Sequence, residues 1–476
     1  MKLIAVVKRD CETCVMVAPL LARLAETHDL RIHSQDDPAF PTGAGQIADD
    51  RELETSFALN IETVPTLIRL EDDAEAERTT GWVREDWVRL TGESELGDGL
   101  PAFRPGCGSR SVEPGVPERL ALKYGALTLA SRPVEVQPES DPMEVAYDRG
   151  WTDGLPIVPP TDQRVALMLS GTTRQPDEII GDIPPNLVAC TVEKVAINAV
   201  MAGCRPEYFP VVLTVVEAAL KPEFSMHGLL ATLWFSGPVV IVNGPVAKRI
   251  GMNSTGNALG QGNRANATIG RALQLLIRNV GGGVPGEIDR SILGNPGKYT
   301  FCFAEDESSD DWVPLNVARG SKPGSSSVTL FHGDGVQAAM AWNASNADEL
   351  CRSLASSLLA VGNPKLAEWS GAILVLAPDH YDIFKQAGWG RPEIEDGLRR
   401  ALRRPGAEIM QGVGGIAEGV DPSRKDELID KFNEGYLLIV RAGGRGGAMS
   451  AIVGGWSAQR KTKDVQIVTM DIPSGD

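Results

Sequence analysis

The 476-residue chain contains no stretch approaching the roughly 18 consecutive apolar residues that a membrane-spanning helix needs. Its start lacks the long apolar core and small-residue cleavage site of a secretory leader, because Lys8-Arg9-Asp10 interrupts the first apolar run early. Basic residues are in deficit: 46 Lys and Arg against 63 Asp and Glu leave a net charge of −17, which argues against nucleic-acid or anionic-membrane partners and reads as a charge for solubility. The seven cysteines are odd in number and thinly spread, unlike the framework of a secreted disulfide scaffold. Together these absences predict a cytoplasmic protein. Apolar residues, by contrast, are ample at 42%, enough for about two to four domains with real cores.

One stretch concentrates chemistry. Leu3-Ile4-Ala5-Val6-Val7 has the apolar, partly β-branched character of a short buried strand, and from Val15 onward Met16, Leu20, Leu21 and Leu24 recur at helical spacing. Asp10-Cys11-Glu12-Thr13-Cys14 lies between them. Cys11 is thus expected near a helix N-terminus, where unpaired backbone N–H groups and the helix dipole favour a thiolate. A thiolate that attacks and a second thiol three residues on that resolves the mixed disulfide are the minimal equipment for disulfide exchange. The same spacing is half of a zinc site, but no second C-x-x-C and no H-x-x-x-H occurs. Ligands distant in sequence leave a metal open; no cofactor is predicted beyond the redox-active dithiol.

Further along, Leu30–His33 reads as a second strand, Arg51–Leu59 as helical, and Thr63-Val64-Pro65-Thr66 as a turn into a strand ending near Leu70, with Gly81 and the amphipathic Glu85–Leu90 segment closing the unit. With the C-x-x-C after the first strand and the Val64-Pro65 pair before the third, residues 1–92 resemble the thioredoxin family. The resemblance implies a thioredoxin-like fold and a cis proline at Pro65 packed beside the dithiol. Asp10 stands where that family usually carries tryptophan, and Glu12-Thr13 is an unusual inter-cysteine pair, which bears on redox potential and partner choice.

Residues 93–140 are rich in Gly, Pro and Glu and read as a long linker with one helical patch near Pro117–Tyr124. Within it, Cys107 is flanked by glycines and by Arg104 and Arg110, an accessible setting that favours its thiolate. It is an ordinary loop cysteine, an internal exchange partner of Cys11, or a substrate-facing thiol.

A central α/β domain is expected over 141–330. Trp151-Thr152-Asp153-Gly154 opens a proline-rich segment too rigid for an interior strand or helix, which makes Trp151 and Asp153 candidates for a pocket wall. Thr191 caps a helix from Val192 to Ala202, stopped by Gly203; Val192, Val195, Ala196 and Ala199 form its core stripe, and Lys194, Asn198 and Met201 share another face. Cys204 follows the C-terminal end of that helix, where the dipole disfavours a thiolate and Arg205 would have to compensate. Asn263 caps a helix reaching Asn279, with Arg264, Thr268 and Arg271 on one face. Two guanidiniums, a hydroxyl and a helix N-terminus suit a carboxylate or phosphate, so Arg264, Asn266, Thr268 and Arg271, with Lys194 and Asn198, are read as the substrate pocket. His227 is a candidate acid–base group.

The last third, 331–476, alternates strands and helices, as in an α/β sheet. The glycine-rich Gly443–Gly447 loop after a strand lacks the third glycine of a dinucleotide fingerprint, so no NAD site is predicted. Nothing in one sequence places Ser450 beside His380. Beyond residue 92, Cys107-Gly108-Ser109 is similar to a group of bacterial proteins named for a selenocysteine-Gly-Ser-Cys motif, although the fourth position is Arg110. That likeness implies thiol or redox chemistry on a small molecule.

The expected architecture is α/β, a thioredoxin-like N-terminal domain fused to a larger two-lobed α/β body. The expected function is a thiol-dependent oxidoreductase acting on a small polar or anionic organic substrate. Cys107 or Cys204 would react with the substrate, Cys11/Cys14 would reset it, and an external thiol would supply electrons; homo-oligomerisation is left open. The alternatives are a lyase or hydrolase with an accessory thioredoxin-like domain, or a non-catalytic, chaperone-like thiol-binding protein.

Overall fold

Leu3, Ala5, Val6 and Val7 are driven inside by their side chains and form the middle of a sheet, each at most 1% exposed. The computed structural model describes residues 2–125, 127–456 and 466–473. The chain divides into two compact units, Met1–Thr128 with Asp162–Leu167, and Leu129–Thr161 with Met168–Asp476.

The first unit runs β1 (Lys2–Val7), α1 (Glu12–Thr27), β2 (Asp29–Ser34), β3 (Ile47–Asp49), α2 (Glu54–Ala58), β4 (Thr63–Val64), β5 (Thr66–Glu71), β6 (Ala74–Thr80), β7 (Trp82–Val83), α3 (Arg84–Thr91), β8 (Phe103–Arg104), β9 (Cys107–Gly108) and α4 (Val116–Tyr124). Five strands form one sheet in the order β3-β2-β1-β5-β6, with β1 parallel to β2 and antiparallel to β5. Helix α1 buries Cys14, Val17, Leu21 and Leu24, while α3 contributes Trp87 and Leu90 to the same core. Trp82 and Trp87 meet edge to face, 5.2 Å between ring centres.

The turn expected at Thr63–Thr66 leads into strand β5, and Pro65, which has no N–H to give a ladder, separates β5 from the two-residue strand β4. Thr63 and Val64 pair with β9. The expected linker 93–140 is accordingly divided: β8 pairs with β7, β9 with β4, and through residue 128 this segment belongs to the first unit.

The second unit is mixed α/β. One sheet orders Cys302–Ala304, Gly237–Asn243, Ser327–Gly333 and Val468–Asp471; another orders Val336–Met340, Met449–Trp456, Ser370–Leu376 and Leu437–Arg441. Val239, Ile241 and Phe331 from the first pack with Ile373, Val375, Val440 and Val453 from the second in one core. The expected boundary between 330 and 331 therefore falls inside strand Ser327–Gly333, and the two expected lobes are interleaved parts of a single unit. Helices Val192–Ala202 and Arg264–Asn279 have the bounds read from their caps: Thr191 Oγ1 accepts from the Lys194 N–H, Asn263 Oδ1 accepts from the Asn266 N–H, and Gly203 takes the left-handed φ of 91° that ends the first of them.

Among the described residues no helix is long and apolar enough to cross a membrane.

Candidate functional site

The carboxyl end of β1 is held by Asp36, whose carboxylate accepts the Arg9 and Asp10 backbone N–H groups at 2.7 and 2.9 Å. This aims the chain into α1 with Cys11 as N-cap in extended conformation, φ −149°. Cys11 Sγ accepts the Cys14 N–H at 3.4 Å and lies 3.5 Å from the Val64 carbonyl oxygen, to which the protonated thiol can donate. The peptide bond that follows, Val64-Pro65, is cis.

Directly opposite Val64 in the β4–β9 pair is Cys107. Three sulfurs therefore gather at the start of α1, and their electrostatics differ. The neighbouring Cys14 thiol pulls Cys11 down most; burial pushes the other way; the Cys107 thiol and the backbone N–H groups of Cys14 and Thr13 add to the lowering, which brings Cys11 to about 5. Burial first, then the hydrogen bond it gives Cys11, pushes Cys14 far up. The same two causes in the same order raise Cys107. Near neutral pH the cluster thus holds one thiolate flanked by two thiol donors. Cys11 and Cys14 are almost wholly buried, whereas Cys107 is half-buried. All seven cysteines are free thiols.

The segment carrying Cys107 is fastened on both sides. Thr13 Oγ1 donates to the Pro105 carbonyl at 2.7 Å, Lys8 Nζ donates to the Gly108 carbonyl at 2.9 Å, and Arg104 pairs with Glu12. Buried Ser109 accepts from Gln35 Nε2 at 2.6 Å and shares a hydrogen bond with Ser111, which donates to the Ile61 carbonyl. Thr13, Val64, Gly106, Gln35 and Ser109 were not singled out in the sequence as site residues. At Gly106 a Cβ would lie 2.4 Å from Thr63 Cγ2 and 2.7 Å from the Val64 oxygen, so only glycine fits.

The expected substrate pocket of the second unit is differently disposed. Arg271 forms a two-pronged ion pair with Asp153, at 2.7 and 2.8 Å, and also donates to the Pro156 carbonyl. Arg264 donates to the Gly203 carbonyl, Thr268 to the Arg264 carbonyl, and buried Asn266 to the carbonyls of Asn253 and Ala258. Asn279 Nδ2 links Asn198 Oδ1 to the Trp151 carbonyl, and Lys194 donates to the Ala189 carbonyl. These residues fasten helices and the proline-rich segment to each other. Because Arg271 and Asp153 are each 13% exposed, Arg271→Ala is expected to cost about 1–3 kcal/mol, between the values for exposed and buried pairs, checked by urea denaturation.

Cys204 is a packed thiol: its Sγ donates to the Thr268 carbonyl, and burial pushes it to about 12. His227 is exposed on the short helix Met226–Ala231. His380 and Ser450 do meet, Nδ1 to Oγ 2.7 Å, with burial lowering the histidine's pKa. Within the described residues no group of His, Cys, Asp and Glu is arranged to hold a metal ion. Comparison of the chain with protein-family models, curated proteins and solved structures finds no match.

Proposed function

We propose that the protein is a thiol-dependent oxidoreductase whose first unit is a thioredoxin-like disulfide-exchange centre recycling Cys107. The observation that carries this reading is the Cys107 thiol placed against the N-cap Cys11, the one cysteine drawn down to about 5. A sulfur compound carried on Cys107 as a mixed disulfide is attacked at Cys107 Sγ by the Cys11 thiolate. The Cys107 bond to the departing sulfur breaks, that sulfur leaves as a thiolate, and Cys11–Cys107 forms. Cys14 then attacks Cys11 Sγ, its proton passing to the departing Cys107, and the Cys11–Cys14 disulfide awaits an external thiol reductant. Tethering keeps the two partners at an effective concentration of about millimolar or above. The five-stranded sheet in which α1 connects the parallel strands β1 and β2, and the Val64 carbonyl oxygen, just before Pro65, 3.5 Å from the Cys11 sulfur, support the thioredoxin-like reading.

The order of events is testable with Cys14→Ser. With the resolving thiol gone, mild oxidation is expected to accumulate a Cys11–Cys107 disulfide, identified by peptide mass spectrometry. Oxidised protein in which Cys11 carries only external adducts, or none, would rule out exchange with Cys107.

A further inference from the structure

An extended polypeptide binds a sheet-like edge by its backbone, and a protein disulfide reaching Cys11 would have to lie along the Val64 backbone, whose carbonyl oxygen sits 3.5 Å from the Cys11 sulfur. In this chain that edge is already filled. The Ser109 N–H donates to the Glu62 carbonyl, Gly108 and Cys107 pair with Thr63 and Val64, and Arg104 and Phe103 pair with Trp82 and Val83. The approach is closer than side chains permit. Gly81 faces Gly106, and a Cβ on Gly81 would come within 2.7 Å of the Gly106 nitrogen. The clasps from Thr13, Lys8 and Glu12 hold the covering segment down from the α1 side.

We infer that residues 103–109 are a built-in occupant of the polypeptide-binding edge, so that the centre accepts disulfides of small molecules and excludes those of folded proteins. This deepens the exchange reading above and rests on it. Cys107 is the half-buried sulfur at the surface of the cluster, and Cys11 beneath it is 3% exposed. A small disulfide RS–SR needs only to reach Cys107. The Cys107 proton passes across its hydrogen bond to Cys11, the Cys107 sulfur attacks, and one RS⁻ departs, taking that proton from Cys11 and leaving Cys11 a thiolate again. The relay then expels the second RS⁻ as Cys11 attacks Cys107 Sγ. Two RSH appear for each Cys11–Cys14 disulfide formed.

The reduced full chain should be mixed with bis(2-hydroxyethyl) disulfide or with insulin at equal disulfide concentration, each rate being normalised to that of dithiothreitol. The normalised insulin rate is expected to be lower by about a hundredfold, the cost of holding reacting sulfurs out of line. Gly106→Val, which forces the segment away from Thr63 and Val64, is expected to narrow that ratio; Lys8→Ala with Arg104→Ala, which removes two clasps without overpacking, serves if the first variant does not fold. Equal normalised rates in the parent chain, or a ratio unmoved in the released variant, would overturn the occupied-edge inference while leaving exchange intact. Oxidation of Cys11 by neither compound would overturn the exchange reading and this inference with it.

Discussion

In the reduced protein, the ultraviolet absorbance of a thiolate is expected to titrate with a midpoint of about 5 and to be missing from that range in Cys11→Ser. The other six thiols lie higher: burial raises Cys14, Cys107, Cys190, Cys204, Cys302 and Cys351 alike. At pH 5 about half of Cys11 is ionised, against about one part in ten thousand of a thiol at the ordinary value of 9.0. The lower basicity of Cys11 returns about 40–100-fold of that advantage in intrinsic nucleophilicity, leaving it ahead by about 50–125-fold at pH 5. Cys11→Ser is therefore expected to abolish disulfide exchange, with the greatest contrast to the parent protein in mildly acidic solution. Because the folded value is depressed, Cys11 stabilises the reduced fold fully above its unfolded value of about 9, and this contribution is lost as pH falls toward 5. Cys107→Ala removes one donor to the thiolate; the midpoint is expected to rise and the potential of the Cys11/Cys14 couple to become more negative. A titration with no transition below pH 7 would contradict the N-cap thiolate on which the mechanism depends.

Glu305→Ala is expected to be the most damaging single change in the second unit, at about 3–5 kcal/mol. The Glu305 side chain has no exposure and accepts from Asn243 Nδ2, Trp312 Nε1, the Leu315 N–H and Arg391, at 2.5, 2.8, 2.7 and 3.3 Å. Burial pushes its carboxyl up, and Arg391 with the surrounding hydrogen bonds pulls it back. Alanine would leave the Arg391 guanidinium, itself 3% exposed and set over the Trp312 ring at 4.3 Å, with only the half-exposed Glu395 carboxylate at 3.6 Å as counter-charge. Urea unfolding followed by tryptophan fluorescence reads the loss, Trp312 being part of the network. Glu305→Gln keeps the shape and one acceptor and is expected to lie between alanine and the parent chain. A loss under about 1 kcal/mol for alanine would mean that the pair behaves as a solvated one.

Much of the local structure was legible because it depends on neighbours in sequence. Helix caps are such features: Thr191, Asn263 and Gly203 marked the ends of two helices through hydrogen bonds and a left-handed φ spanning a few residues. The buried strands Gly237–Asn243 and Ser370–Leu376 were readable from unbroken apolar runs. The edge strand Ala74–Thr80 was not, since its charged, largely exposed residues carry neither period nor apolarity, and only its ladder to β5 makes it a strand. Met449–Trp456 and Val468–Asp471 escaped for a related reason: glycines diluted the first, and the second is four residues added to a sheet begun at Gly237.

The site divides the same way. The C-x-x-C spacing, the strand before it and the apolar period after it placed Cys11, without any fold, near a helix N-terminus with a second thiol one turn on. Whether Arg271 was a free cation was a different kind of question, since its partner Asp153 lies 118 residues earlier and only packing brings the carboxylate to the guanidinium. The place of Cys107 was also a tertiary decision. Gly106 lets its segment close on Val64, Ser109 is anchored by Gln35 from the far end of β2, and the pairing across Thr63–Val64 and Cys107–Gly108 brings together sulfurs 96 residues apart in the chain. Sequence determines which side chains carry reactive chemistry and how short segments bend. Which of them meet is decided by burial and by the satisfaction of backbone hydrogen bonds across long separations, which no local pattern encodes.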